Sequence, residues 1–188
     1  MTSPAKTRVA LGTAQVIAWS ARLDLAPYCD LIEIAGSIRR RKGEVADVEL
    51  VVIPQAYVTD LFGTPQGDSV TAYLSAELTR KGSPWALRLS KAGNRTFGRE
   101  NKLLTFEGFP VDVFTATEAN WGRDLLIRTG PFEWNIRVMR RFRELKCRGH
   151  AYGPHAVTLE DGTEVDARDE ETVFKLLQWD YVPPEERV

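Results

Sequence analysis

Asp47 and Glu49 stand two positions apart in a valine-rich run, Asp47 to Ile53, that Pro54 closes. Strand side chains at i and i+2 project from one face with α-carbons about 6.5–7 Å apart, so this spacing predicts two carboxylates side by side on a rigid platform. Val48, Leu50 and Val52 then turn the other way, into a core. Carboxylates held that close repel each other unless cations neutralise them, and oxygen ligands of this type suit magnesium. The pair alone also fits the solvated face of an antiparallel strand. Asp112 tips the balance, because it lies within Val111-Asp112-Val113-Phe114, a segment apolar enough that an unpaired charge would be costly. Three acids converging from two strands are what a two-metal site needs, with one ion activating an attacking oxygen and the other steadying a leaving group.

Ten residues ahead of Asp47, Gly36-Ser37 follows a short apolar run, Leu31 to Ala35, and precedes Arg39, Arg40, Arg41 and Lys42. Glycine lets backbone approach a phosphate, the serine hydroxyl and amide donate hydrogen bonds, and arginine adds bidentate charge-assisted bonds. The turn is suited to a triphosphate, whereas a basic run alone is a solvated surface.

These residues need elements to hold them. A helix is expected after Gly12, capped by Thr13 and ended by Pro27. A strand over Leu31 to Ala35, a helical turn over Ile38 to Lys42 and a central strand over Asp47 to Ile53 follow. Next come a helix from about Asp68 to Lys81, extended pieces around Trp85 to Leu89 and Lys102 to Phe106, a turn over Glu107 to Pro110, and a strand over Val111 to Thr115, antiparallel to its predecessor as a hairpin. The character changes from Ala119 onward, which sets a boundary near residue 118. A helix over Trp121 to Arg128, a Thr129-Gly130-Pro131 break and a basic helix from about Phe132 to Lys146 are expected, then strands flanking Asp161-Gly162 and a helix from about Glu170 to Gln178. On an ideal helix Trp134, Val138, Phe142 and Leu145 form one apolar stripe, with Arg137, Arg140, Arg141 and Arg148 in the adjacent sector.

The 188 residues allow one large or two small domains, and 43% hydrophobic with 27% charged residues is a globular composition. The net charge of -1 conceals an uneven distribution: six basic residues and one acid between Arg137 and Arg148, ten acids against three basic residues from Glu160 to Val188. Cys29 and Cys147 are isolated, with no Cys-x-x-Cys and no nearby histidine pair, so neither a zinc site nor a disulfide scaffold is suggested and two reduced thiols are expected. His150 and His155 lie in a Gly-Pro-containing linker without a third ligand, and no metal role is expected of them. No stretch reaches the ~20 apolar residues of a membrane span and no secretory leader is visible, so a cytoplasmic protein is expected.

Gly36-Ser37-Ile38-Arg39-Arg40, with Glu44, Asp47 and Glu49, resembles the Gly-Ser to Asp-x-Asp signature of family X DNA polymerases, the group of polymerase beta. Thr129-Gly130 followed by Trp134-Asn135 is similar to that family's thumb motif, and Glu170, Val173, Phe174, Leu177, Trp179, Tyr181, Pro184 and Arg187 resemble its closing segment. The resemblance implies an α/β (α+β) fold: a nucleotidyltransferase palm with a mixed β-sheet and flanking helices over residues 1–118, and a small α+β thumb over residues 119–188. It implies that Asp47, Glu49 and Asp112 are catalytic and bind two Mg2+ ions, with Mn2+ as a substitute. Gly36, Ser37, Arg40, Gly130 and Asn135 would contact the nucleoside triphosphate, and Arg137, Arg140 and Arg141 the DNA through phosphate. The implied activity is template-directed transfer of a nucleoside monophosphate to a primer 3′-hydroxyl, in short-gap filling during DNA repair, by a monomer acting on primer-template or gapped DNA.

Two departures stand out. Glu49 replaces the usual aspartate, and Ile127-Arg128 replaces an aromatic pair that helps select the sugar. They keep open a nucleotidyltransferase acting on RNA or protein, and a catalytically silent DNA-binding module is the rival from another class. With only about 30 residues ahead of the Gly36-Ser37 strand, the expected architecture resembles the minimal palm-and-thumb form seen among small viral and phage-related members.

Overall fold

The computed structural model describes residues 7–58, 65–149 and 156–188. In chain order the elements are β1 (Val9–Ala10), α1 (Leu11–Leu25), β2 (Cys29–Ile34), α2 (Gly36–Arg39), β3 (Glu44–Val45), β4 (Val48–Pro54), β5 (Ala56–Val58), β6 (Pro65–Asp68), α3 (Ser69–Glu77) and β7 (Trp85–Leu87). They continue with β8 (Asn101–Phe106), β9 (Phe109–Thr115), α4 (Trp121–Thr129), α5 (Phe132–Glu144), β10 (Val157–Thr158), β11 (Glu164–Val165) and α6 (Glu170–Leu177).

Five strands form a mixed sheet in the order β2-β4-β9-β8-β7. Only β4 and β9 run parallel; their neighbours are antiparallel. The β8–β9 connection is the expected hairpin, tightened to Glu107-Gly108, both with positive φ, so that Phe106 faces Phe109. Positive φ at both central residues gives the turn the twist of the strands it joins.

Alternation along β4 sorts its side chains onto two faces. Val48, Leu50 and Val52 join Val111 and Val113 of β9 and Ala14, Ala18, Ala21 and Leu25 of α1 in the main core. Small residues along α1 let the helix lie close to the sheet. Val51 and Ile53 face the opposite way and meet Trp121 and Leu125 of α4 in a second cluster. Glu49 and Asp112 share that second face, which α4 covers in part. Leu126 of α4 belongs to a third cluster with Trp134, Val138 and Phe142 of α5 and Val173, Phe174 and Leu177 of α6. The stripe expected on α5 is therefore core, with Leu145 packed at its margin.

Several expectations shift. α1 begins at Leu11 with Ala10 as its cap and no side-chain cap bond, so Thr13 lies inside the first turn; Pro27 sits in a 3-10 turn, Ala26–Tyr28, after the helix has ended. α2 starts at Gly36, two residues earlier than expected, which draws Gly36-Ser37 into its first turn. β4 starts at Val48, leaving Asp47 just ahead of the ladder. The β1–β3 pairing and the β5–β6 ribbon were not foreseen, their short strands carrying little periodicity. Both cysteines are buried and outside any disulfide among the described residues; burial pushes the Cys29 thiol up to about 12. His150 and His155 lie outside the described residues.

Candidate functional site

Register brings the acids together. Glu49 of β4 pairs directly with Asp112 of β9, although 63 positions separate them in sequence (112 minus 49). Paired residues on adjacent strands project to the same face. Burial pushes the Glu49 carboxyl up to about 7, helped by the charges of Asp47 and Asp112 and opposed by Arg128 and Arg40. Three acids thus share one electrostatic neighbourhood, and their oxygen donors fit a hard divalent ion by chemistry. Among the described residues, however, no three Asp, Glu, His or Cys side chains are arranged around a common point to hold an ion. Asp112 forms an ion pair with the Arg88 guanidinium.

Gly36 lies against the acids. Its φ is +63°, and a Cβ there would fall 1.9 Å from Glu49 Oε2. Only glycine lets the turn and the carboxylate occupy this space. The adjacent Ser37 hydroxyl is buried without a partner among the described residues, as are Nε of Arg40, Nε of Arg88 and Oδ1 of Asn135. Unsatisfied buried polar atoms are uncommon in native structures; three of those among the described residues belong to predicted nucleotide-binding residues, Ser37, Arg40 and Asn135, while Arg88, Thr115 and Trp134 carry the others.

Arg40 reaches across to the carbonyl of Thr129. Arg39 donates to Thr129 Oγ1 at 2.8 Å and makes a bidentate pair with Glu170, at 2.8 Å on both arms. Arg187, fully buried, makes a second bidentate pair with the same carboxylate at 2.8 and 3.1 Å. Burial opposes ionisation of Glu170, but the hydrogen bonds and charges of Arg39 and Arg187 outweigh it and hold the carboxyl below its ordinary value. α2 is thereby tied to the end of α4 and to α6.

Gly130 ends α4 with its N–H on Leu126 O, and a Cβ there would fall 2.5 Å from Trp134 Cδ1. Asn135 donates from Nδ2 to Ile127 O at 2.7 Å. Arg128, at the position preceding Thr129-Gly130, stacks its guanidinium 3.6 Å from the Phe114 ring centroid.

Residues 124–188 match a family described as the DNA polymerase beta thumb. This segment is thumb-like. The resemblance to family X polymerases is borne out there, and the mixed sheet with flanking helices accords with the expected α/β (α+β) class. No curated protein matches the chain.

The thumb-like segment separates the predicted DNA contacts into two kinds. Arg140 is exposed on α5. Arg141 is committed to its own segment: it donates to Leu177 O at 3.0 Å, to Gln178 at 2.7 Å and to Glu144 at 3.2 Å. Arg137 lies 5.1 Å from the Trp134 ring. A groove of about 380 Å3 opens at the far ends of β4 and β9, lined by Pro54, Gln55, Thr115 and Thr117. It contains none of the motif residues, and chemistry favours the acids over volume.

Sequence reasoning missed Arg88, whose only signal is an arginine closing an apolar strand. It also missed the ionic role of Glu170 and Arg187, although both stand in the closing segment that carries the resemblance. No helix among the described residues is long and apolar enough to cross a membrane.

Proposed function

We propose that this chain is a template-directed DNA polymerase of family X type, with residues 1–118 as palm and 119–188 as thumb. The supporting observation is the pairing of Glu49 with Asp112 beside the Gly36-Ser37 turn, with the Ser37 hydroxyl and Arg40 Nε left unpartnered among the described residues. Asp47, Glu49 and Asp112 would hold two magnesium ions. When bound, such ions lower the pKa of the attacking hydroxyl and stabilise charge on the departing pyrophosphate.

The remaining work falls to the chain itself. Ser37 and Arg40 would receive the triphosphate through a hydroxyl donor and a guanidinium fork. Gly36 keeps backbone from blocking the approach, and Asn135, in the first turn of α5 just past the Gly130-Pro131 break, would meet the base. Catalysis by such a site is a matter of positioning and electrostatics. Replacing Asp112 with alanine should abolish magnesium-dependent primer extension while circular dichroism stays native. Near-normal extension by the folded variant would sink the assignment.

A silent DNA-binding module is the competing reading, favoured by the ion pair that occupies Asp112 and by the unarranged acids. It predicts DNA binding with no extension at any metal concentration. Transfer to RNA or protein draws on Glu49 and on Arg128 held against Phe114. Extension on one-nucleotide gapped DNA, single-stranded DNA and RNA, with deoxy- and ribonucleotides in competition, separates all three.

A further inference from the structure

Arg88 lies in one row with the acids. Glu49 pairs with Asp112, Asp112 with Leu103, and Leu104 with Leu87, so Arg88 falls opposite Leu103 and its N–H bonds Leu103 O at 3.0 Å. Its side chain therefore rises from the same face and passes over Leu103 to reach Asp112. The guanidinium meets Asp112 through Nη2, and its buried Nε has no partner among the described residues. Arg39 and Arg187, which tie elements together, both use two parallel bonds to Glu170. Arg88 engages Asp112 through Nη2 where those pairs engage two arms, and the two side chains retain 22% and 16% of their exposure, a weaker hold than a buried bidentate pair.

We propose that Arg88 is a positioning residue that holds Asp112 as a stand-in cation and is displaced when a divalent ion enters. This rests on the reading of Asp47, Glu49 and Asp112 as a metal site. A divalent ion brings twice the charge to the same oxygen, so ion and guanidinium compete for Asp112 and ion affinity carries the cost of opening the pair. The competition makes the resting acids tolerate one another and tunes the concentration at which the ion takes over.

The test is Mn2+ binding to the full chain, followed by the paramagnetic resonance signal of the free ion, for the wild type, Arg88→Gln and Arg88→Lys. Arg88→Gln should bind Mn2+ roughly three- to tenfold more tightly, in keeping with release of one partly exposed ion pair. Arg88→Lys keeps the charge and should stay closer to the wild type. In the wild type, the Arg88 Nε–H nitrogen resonance, assigned by its loss in Arg88→Lys, should move during a Mg2+ titration with the same midpoint as binding. That measurement also decides the matter should Arg88→Gln not fold. Equal or weaker Mn2+ binding by folded Arg88→Gln, or an unmoved Arg88 resonance in ion-saturated wild type, would overturn the proposal and leave the metal-site reading standing. Absence of Mn2+ binding in all three proteins would overturn both.

Discussion

One carboxylate, Glu170, accepts four hydrogen bonds from two guanidinium groups, and one of those groups, on Arg187, is completely buried. Removing the charge while keeping the shape, as in Glu170→Gln, should cost about 3–5 kcal/mol, because Arg187 would remain buried beside a neutral amide. Urea unfolding at neutral pH measures it. The acid dependence has a definite sign. Since the folded-state pKa of Glu170 is depressed, its stabilisation is fully present above the ordinary value of about 4.3 and is lost as pH falls through the lower folded value. The wild type should lose thermal stability on that limb, and Glu170→Gln should show a shallower loss. At this scale the candidate site was partly legible: residue type and spacing single out Asp47, Glu49, Asp112, Gly36 and Ser37, and the strand register places Glu49 beside Asp112. Arg88 was not, because nothing local tells an arginine that its partner lies 24 positions away on another strand.

At the scale of elements, α4 is the piece that sequence periodicity described least well. Its helical nature was readable, but its packing was not. Trp121 and Leu125 cover the acid-bearing face of the sheet while Leu126 joins the C-terminal cluster, and a helix buried on nearly all sides has no polar face to betray its orientation. Gly122 makes this double packing feasible. A Cβ there would lie 2.0 Å from the carbonyl carbon of Asp169, the residue that caps α6. Backbone cannot yield as a flexible side chain does, so Gly122→Ala should destabilise by about 1–3 kcal/mol through overpacking, read as a lower urea midpoint with an unchanged slope. By contrast the β8–β9 hairpin, the central strand and α5 were legible because each satisfies a strong local pattern. β1 and β3, two residues each, offer no pattern long enough to read.

At the scale of the whole molecule, net charge is close to neutral while α5 concentrates arginine. On the proposed reading, in which α5 meets DNA, affinity should fall with salt in proportion to the few phosphates that surface contacts. Arg140→Gln should reduce the slope of log affinity against log salt by about 1 without altering stability. Arg141→Gln should also lower stability, since Arg141 serves Leu177 and Gln178. Filter binding across 50–200 mM salt, with parallel unfolding curves, separates the two.

The pair between Arg39 and Glu170 joins residues 131 positions apart. A contact of that span closes a long loop and belongs to the late stages of folding, after the local hairpins and helices have formed. Loss of such a late contact shows up chiefly in the rate of escape from the native state. Arg39→Gln should thus leave the refolding limb of a chevron nearly unmoved while accelerating unfolding, a displacement visible by stopped flow. The tie between α2 and α6 would then act as a kinetic clasp, governing how long the assembled protein persists more than how quickly it forms.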